Sequence, residues 1–323
     1  MKKILSIDGG GIKGVFPIAL LAQIEKKLLK ENDSICEYFD IITGTSTGAI
    51  IALALGTGMR AGDILEFYEK NGSEIFHGNS WINNIKEWIT RKYNNKYLKE
   101  ALEKEFGDKK LGECKTRLVI PVFDKNTMKP YVYKTAHHKR FERDYKVKIV
   151  DIAMGSSAAP VTFSEYRTED NILCIDGGIG ANNPTFLGVA EGIGVLEWPI
   201  EEIKVLSLGC TEEGTSGNNN EKMPLKGKLY YAGKVLDLFM RAQTGYSEGL
   251  TRILLRVNEH EERYVRINQQ VQKNEYKLDK ADEKTINNLK GFAASKEREY
   301  LSKIKLFFEE KAEKFEPIYR VEE

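Results

Sequence analysis

Three short stretches combine residue types and spacings that could do chemistry. The first is Gly44-Thr45-Ser46-Thr47-Gly48. This G-x-S-x-G pattern bares a serine hydroxyl on a sharp turn between a strand and a helix. Gly44 and Gly48 remove the Cβ atoms that such a turn would crowd. A helix beginning behind Ser46 favours negative charge developing there. The same five residues could also be an ordinary glycine-serine turn. The second stretch is Asp8-Gly9-Gly10-Gly11-Ile12-Lys13-Gly14. Consecutive glycines let backbone N–H groups converge on one point, where they could hold a phosphate or the oxyanion of a tetrahedral acyl intermediate. Gly9, Gly11 and Gly14 also satisfy the dinucleotide pattern G-x-G-x-x-G, which calls for an acidic residue closing the second strand. Here the second strand runs into Gly44-Thr45-Ser46 instead. The third stretch, Asp176-Gly177-Gly178, puts a carboxylate at the end of a strand, or is simply an Asp-Gly turn.

Histidines offer little help to Ser46. An elbow serine usually has its acid and then its histidine downstream, and only His260 follows Asp176. It lies in the charged run Asn258-Glu259-His260-Glu261-Glu262, where a solvated surface histidine is expected. What remains is a serine paired directly with Asp176, the carboxylate taking the serine proton and returning it to the leaving group.

The elements around these stretches have to position them. Ile4 to Ile7 reads as a strand feeding the glycine loop, and Ile18, Leu21, Ile24 and Leu28 mark the helix that follows. Phe39 to Thr43 reads as a second strand, Gly44 to Gly48 as its turn, and Ala49 to Leu55 as a buried helix. Two such units in succession predict an α/β fold with a mostly parallel sheet. Further strands are expected at Leu118–Phe123, Tyr131–Lys134, Ile172–Ile175 and Lys204–Leu208, with Arg263–Asn268 as an edge strand. Trp81, Ile85, Trp88 and Ile89 share one helical face, which suits either an interfacial lid or plain packing. Leu301, Ile304, Phe307 and Phe308 form a C-terminal stripe that could close the core or make a homo-oligomer contact; core closure is expected.

Composition narrows the class. At about 150 residues per domain, 323 residues suit roughly two domains or one large α/β domain with additions, and the lack of a Pro- or Ser-rich linker favours one domain. Apolar residues make up 41%, as in a folded chain, and 49 basic against 48 acidic residues leave +1, which argues against nucleic acid as a partner. The apolar run Ala49–Leu55 is far short of the ~20 residues of a membrane span, and the start Met1-Lys2-Lys3 lacks a signal-peptide core. Cys36, Cys114, Cys174 and Cys210 show no CxxC spacing, so free thiols, a cytoplasmic setting and no metal site are expected.

Taken together, the three stretches in this order resemble the patatin-like phospholipases. The likeness extends to Ser156-Ser157-Ala158-Ala159-Pro160, Asn182-Asn183-Pro184 and Leu206-Ser207-Leu208-Gly209. It covers roughly residues 1–270 as a patatin-like domain and leaves 271–323 as a helical extension packed on it. It implies a three-layer fold, the central sheet sandwiched by helices. It also implies a cofactor-free serine lipid acyl hydrolase that releases fatty acids from membrane phospholipids at the inner membrane face. Ser46 would be the nucleophile and Asp176 its partner. Gly10 and Gly11, with Gly9, would supply oxyanion N–H groups in the loop that includes Lys13 and Gly14, and Thr47 N–H could add another. Gly44 and Gly48 would frame the elbow, and Gly177 and Gly178 the aspartate turn. Lys13 stands where the family usually has arginine, and keeps the charge without the planar fork. The family includes bacterial effectors activated by cyclic nucleotides in anti-phage defence, so a cyclic nucleotide activator is implied. The contrasting expectation is a nucleotide-binding module whose glycine loop holds phosphate without hydrolysis.

Overall fold

The protein is described from a computed structural model, over residues 1–76, 95–159, 164–214, 228–272, 275–276 and 281–321. The segment Trp81–Ile89, Pro160 and most of the glycine-rich stretch after Glu213 lie outside these residues.

Along the chain run β1 (Lys2–Ile7), α1 (Val15–Leu28), β2 (Ile41–Gly44), α2 (Thr47–Gly56), α3 (Ala61–Phe76), α4 (Asn95–Phe106), β3 (Arg117–Asp124), β4 (Lys129–Lys134), α5 (Ile149–Ser156), β5 (Tyr166–Arg167) and β6 (Leu173–Ile175). They are followed by α6 (Gly178–Ala181), α7 (Thr185–Gly194), β7 (Ile203–Leu208), β8 (Glu212–Glu213), α8 (Lys228–Leu254), β9 (Tyr264–Ile267), β10 (Gln270–Val271) and α9 (Glu283–Lys305). Among the described residues, eight strands form one sheet in the order β5-β6-β3-β2-β1-β7-β9, with β4 beside β3. Strands β3, β2, β1, β7 and β9 are parallel.

Alternation along the strands divides the interior in two. Leu5, Ile7, Ile42, Leu118, Ile120, Leu206 and Leu208 face a large core shared with α1, α2, α3, α4, α5 and α9. Ile4, Ile41, Val119, Ile203 and Val205 face a smaller core shared with Val189 of α7 and Leu255 beyond α8. A sheet buried on both faces needs apolar residues at successive positions, which is why Ile4 to Ile7 shows no clean polar alternation. The expected three-layer α/β architecture is the observed one.

The C-terminal helix α9 starts at Asp282, whose carboxylate accepts the Thr285 N–H at 2.8 Å, and packs along α1, where Glu297 meets Lys27 at 3.0 Å. Ile304, Phe307 and Phe308 are buried, with Phe39 5.5 Å from Phe308 edge-on. The stripe therefore closes the core.

Two elements depart from the expectation. Helix α7 has no helical signature because Gly188, Gly192 and Gly194 interrupt it. Gly188 is there for contact: a Cβ at that position would lie 2.9 Å from Ile4 and 3.2 Å from Thr43. Strand β6 runs antiparallel to β3, pairing Ile175 with Phe123 and Cys174 with Asp124. Strand β3 overshoots β2, and β6 returns along that overhang. Asp176 thus reaches the carboxyl edge of the parallel strands from the opposite direction.

Candidate active site

The elbow after β2 is strained at one residue. Ser46 has φ 56° and ψ −122°, in the left-handed half of backbone space. Such a conformation in a non-glycine residue costs on the order of 1–3 kcal/mol and persists only where its surroundings over-determine it. Those surroundings are visible. Thr45 N–H donates to Ile7 C=O at 3.2 Å, Gly48 N–H to Thr45 C=O at 2.8 Å, and Thr45 Oγ1 to Ala181 C=O at 2.6 Å. Ser46 N–H donates to Ser156 Oγ at 3.1 Å, and Ser156 Oγ donates on to Pro121 C=O at 2.8 Å. The turn is tight enough that a Cβ on Gly44 would fall 2.0 Å from Gly48 C=O, and one on Gly48 would fall 2.3 Å from Ile7 C=O.

Asp176 lies within hydrogen-bond distance of the half-buried Ser46. Ser46 Oγ donates to Asp176 Oδ2 at 2.7 Å, and Gly178 N–H donates to Asp176 Oδ1 at 2.7 Å. The backbone of the aspartate turn is held by the segment that holds Ser46: Asp176 N–H donates to Ala158 C=O at 3.0 Å and Gly177 N–H to Ser156 C=O at 3.2 Å. Gly177 abuts β3, where a Cβ would meet Pro121 C=O at 2.2 Å. Asp176 is 7% exposed, and burial raises its pKa from 3.8 to about 6 despite the opposing pull of the hydrogen bonds from Ser46 and Gly178. A carboxyl poised there is a stronger base than an ordinary aspartate, yet still mostly ionised at neutral pH.

The glycine loop runs beside the elbow. The expectation that Gly9 offers its N–H is corrected here. That group donates to Asn182 C=O at 3.0 Å and is already engaged. The N–H groups of Gly10 and Gly11 take part in none of the loop's backbone hydrogen bonds. Gly11 has φ 57° and opens a single 3-10 turn, Gly11–Gly14, in which Lys13 N–H donates to Gly10 C=O at 3.2 Å. Gly14 packs on Thr47, whose N–H opens α2 and is one of the donors a helix start leaves over. Gly10 lies against Cys210, whose thiol donates to Asp8 C=O at 3.2 Å.

Arg266 on the edge strand β9 anchors this loop. Its Nη1 donates to Asp8 Oδ1 at 2.9 Å, its Nη2 to Oδ2 at 2.5 Å, and Nη1 also reaches Ser207 Oγ at 2.9 Å. Burial by itself would lower the Arg266 pKa, and the Asp8 carboxylate more than reverses this; burial also raises the Asp8 pKa, against the pull of Arg266. The sequence signal for Arg266 is a single cation inside an apolar alternation, which carries no partner information. Ser156 and Asn182 stand in stretches already noted, but with no role attached. His137 bonds Thr135 and Glu191, each at 2.9 Å, and His260 lies 3.8 Å from Glu262, so neither contacts Ser46.

The arrangement is a hydroxyl hydrogen-bonded to a poised carboxylate, beside backbone donors. Among the described residues, no group of His, Cys, Asp and Glu is suited to hold a metal ion, and no helix is long and apolar enough to cross a membrane. Comparison with known proteins bears on the same segments. A profile of the patatin-like phospholipases matches residues 5–188, from β1 to α7. Patatin-like protein 4 of Arabidopsis thaliana is 30% identical over 327 residues, spanning 89% of this chain and 81% of the plant protein. A protein of Vibrio cholerae serotype O1 named cGAMP-activated phospholipase is 34% identical over 247 residues, 72% of this chain and 69% of its own. One of the same name from Pseudomonas aeruginosa is 30% identical over 252 residues, 77% and 74% of the two chains.

Proposed function

The chain belongs to the patatin-like phospholipase family and is a lipid-hydrolysing esterase, and we propose that it works through a Ser46–Asp176 dyad. Asp176 accepts the Ser46 proton as Oγ attacks the carbonyl carbon of a membrane glycerophospholipid. A C–O bond forms to Ser46, and the N–H groups of Gly10 and Gly11 receive the oxyanion, with Thr47 N–H beside them. Collapse breaks the ester C–O bond. The departing lysolipid alkoxide takes the proton from Asp176 and leaves an acyl-Ser46. Water then adds to the acyl carbon as Asp176 takes its proton; collapse breaks the acyl–Oγ bond, Asp176 returns that proton to Ser46 Oγ, and the fatty acid leaves. The observation that carries this reading is the 2.7 Å bond from Ser46 Oγ to a carboxylate whose pKa stands at about 6.

The bacterial relatives' name supports a second layer: a cyclic nucleotide of the cGAMP type switches this chain on. Its place of action in this reading is the inner face of the membrane, reached from the cytoplasm. Residues 1–270 carry catalysis, with 271–323 as a supporting extension.

The test is fatty-acid release from phospholipid vesicles, with and without cGAMP, by wild type and Ser46→Ala, alongside labelling by a fluorophosphonate probe. Wild type should label at Ser46 and exceed the variant by several orders of magnitude. Equal release by the two proteins refutes the dyad. Failure to label together with tight nucleotide binding would favour a binding module instead.

A further inference from the structure

Helix α8 shows two different sides. Its inner side serves the catalytic end of the sheet. Met240 lies against Gly178, Gln243 donates to Ile179 C=O, and Ser247 Oγ accepts the Phe186 N–H at 3.1 Å. Its outer side, from residue 238 to 253, is apolar and exposed, with none of the other described residues covering it. Leu238, Phe239, Tyr246 and Ile253 are 61–74% exposed, and Leu250 is 44% exposed. Exposed Ala242 and Gly245, with Gly249, lie between them. A Cβ on Gly245 or Gly249 would meet nothing within 4 Å. Among the described residues, no contact within one copy explains two glycines that each weaken a helix by about 1 kcal/mol relative to alanine.

Spacing supplies an explanation. Phe239, Ala242, Tyr246, Gly249 and Ile253 succeed one another at intervals of three and four, the seam of a helix pair. Large and small residues alternate along that seam. We propose that this face of α8 seats the same face of a second copy of the chain, the two helices antiparallel about a two-fold axis near Thr244. In that register Phe239 lies opposite the partner's Gly249, and Ala242 opposite the partner's Tyr246. The two-fold repeats both pairs. Each of these layers then joins one large and one small residue, Leu238 meets the partner's Leu250 beside them, and the glycines let the backbones approach. A parallel pair would instead oppose Phe239 to itself and Gly249 to itself, with crowding in one layer and a void in another.

Area and charge favour the same occupant. At roughly 200 Å² per large side chain, the five exposed residues offer on the order of 600 Å² per copy. Two copies bury about 1,200 Å², the lower bound of specific stable interfaces. Among residues 238–253, the cations are Arg241 and Arg252, on one flank of the helix, and Arg241 is held by Glu213. A helix docking on a lipid surface would carry a fringe of Lys and Arg, whereas the stem of Arg252 can cover a neighbouring apolar side chain.

The experiment uses the full chain. Sedimentation velocity at tens of micromolar should show a dimer, and Tyr246→Glu should show a monomer with unchanged circular dichroism. For the register, Cys36, Cys114, Cys174 and Cys210 are all buried and leave the surface clear for introduced thiols. An equimolar mixture of Phe239→Cys and Gly249→Cys should cross-link between copies on mild oxidation. Either variant alone should not, since like positions stand about 15 Å apart along the pair. A monomeric wild type, a dimeric Tyr246→Glu, or single variants that cross-link as well as the mixture would each overturn the proposal. So would a monomer whose binding to phosphatidylglycerol vesicles is lost in Tyr246→Glu, because the face would then meet a bilayer. Hydrolysis by Ser46 is read separately, so failure here leaves the dyad untouched.

Discussion

Replacing Asp176 with asparagine should kill the reaction and stabilise the fold, and both effects follow from one burial. The Asp176 carboxyl titrates at 3.8 when exposed and at about 6 in the folded protein, because the site removes water from the charged form. The folded state therefore binds this proton more tightly than the unfolded state. The contribution of the group to stability is complete below pH 3.8 and is lost as pH rises through about 6. At about 1.36 kcal/mol per unit, the shift amounts to roughly 3 kcal/mol at pH 8. Asparagine has the same shape and no charge to desolvate. Its Oδ1 can still accept from Gly178 N–H and its Nδ2 can donate to Ser46 Oγ, replacing two bonds of 2.7 Å. In a chain of this size about 2 °C accompanies each kcal/mol, so Asp176→Asn should melt about 6 °C above wild type at pH 8. The gap should shrink towards zero at pH 4. Fatty-acid release should drop on the order of 10³-fold, as expected when a general base is removed. The assay is paired thermal melts at pH 4, 6 and 8 with vesicle hydrolysis at pH 8. A variant that melts at or below wild type at pH 8 refutes the desolvated carboxylate. A variant that keeps a tenth of the activity refutes the base.

The pH–rate profile of wild-type kcat/KM should rise tenfold per pH unit on its acid limb and level off above about 6, since Asp176 must be ionised to take the Ser46 proton; a flat profile from pH 5 to 8 contradicts this. Arg266→Ala leaves Asp8 buried without its partner, and chemical denaturation should register a loss of about 3–5 kcal/mol together with lost hydrolysis. Ser156→Ala removes the acceptor of Ser46 N–H and the donor to Pro121 C=O, so stability should fall by about 1–2 kcal/mol and kcat more than KM should suffer. Two glycines make an opposed pair in melting experiments: Gly48→Ala places a Cβ 2.3 Å from Ile7 C=O and should unfold the elbow, whereas Gly62→Ala, on α3 with nothing within 4 Å, should add about 0.5–1 kcal/mol.

Much of this protein is legible in its sequence because much of it is local. The strands β1, β2 and β3 and the helices α1 and α2 announce themselves through apolar runs and periodicity. The Gly44–Gly48 turn announces itself because only glycine tolerates that packing. The stripe at 301–308 reads as core because Ile304, Phe307 and Phe308 pack inward, the last two just past the end of α9. Where glycine is used for close contact instead of turning, as at Gly188 in α7, the helical signature disappears, and no local pattern restores it.

The remaining features depend on which distant segments meet. Nothing near Ile172–Ile175 states that β6 runs antiparallel along the overhang of β3, yet that direction brings Asp176 to Ser46. Nothing near Gly9 states that its N–H will be taken by Asn182, or near Asp8 that its charge will be matched by Arg266. Sequence by itself determined the chemistry on offer, a serine on a glycine-framed turn, a glycine loop and a carboxylate. Tertiary structure alone decided which N–H groups stay open and how far water is excluded from Asp176. The physical reason is that backbone propensity acts over a few residues, while desolvation and hydrogen-bond partnership are properties of the packed whole.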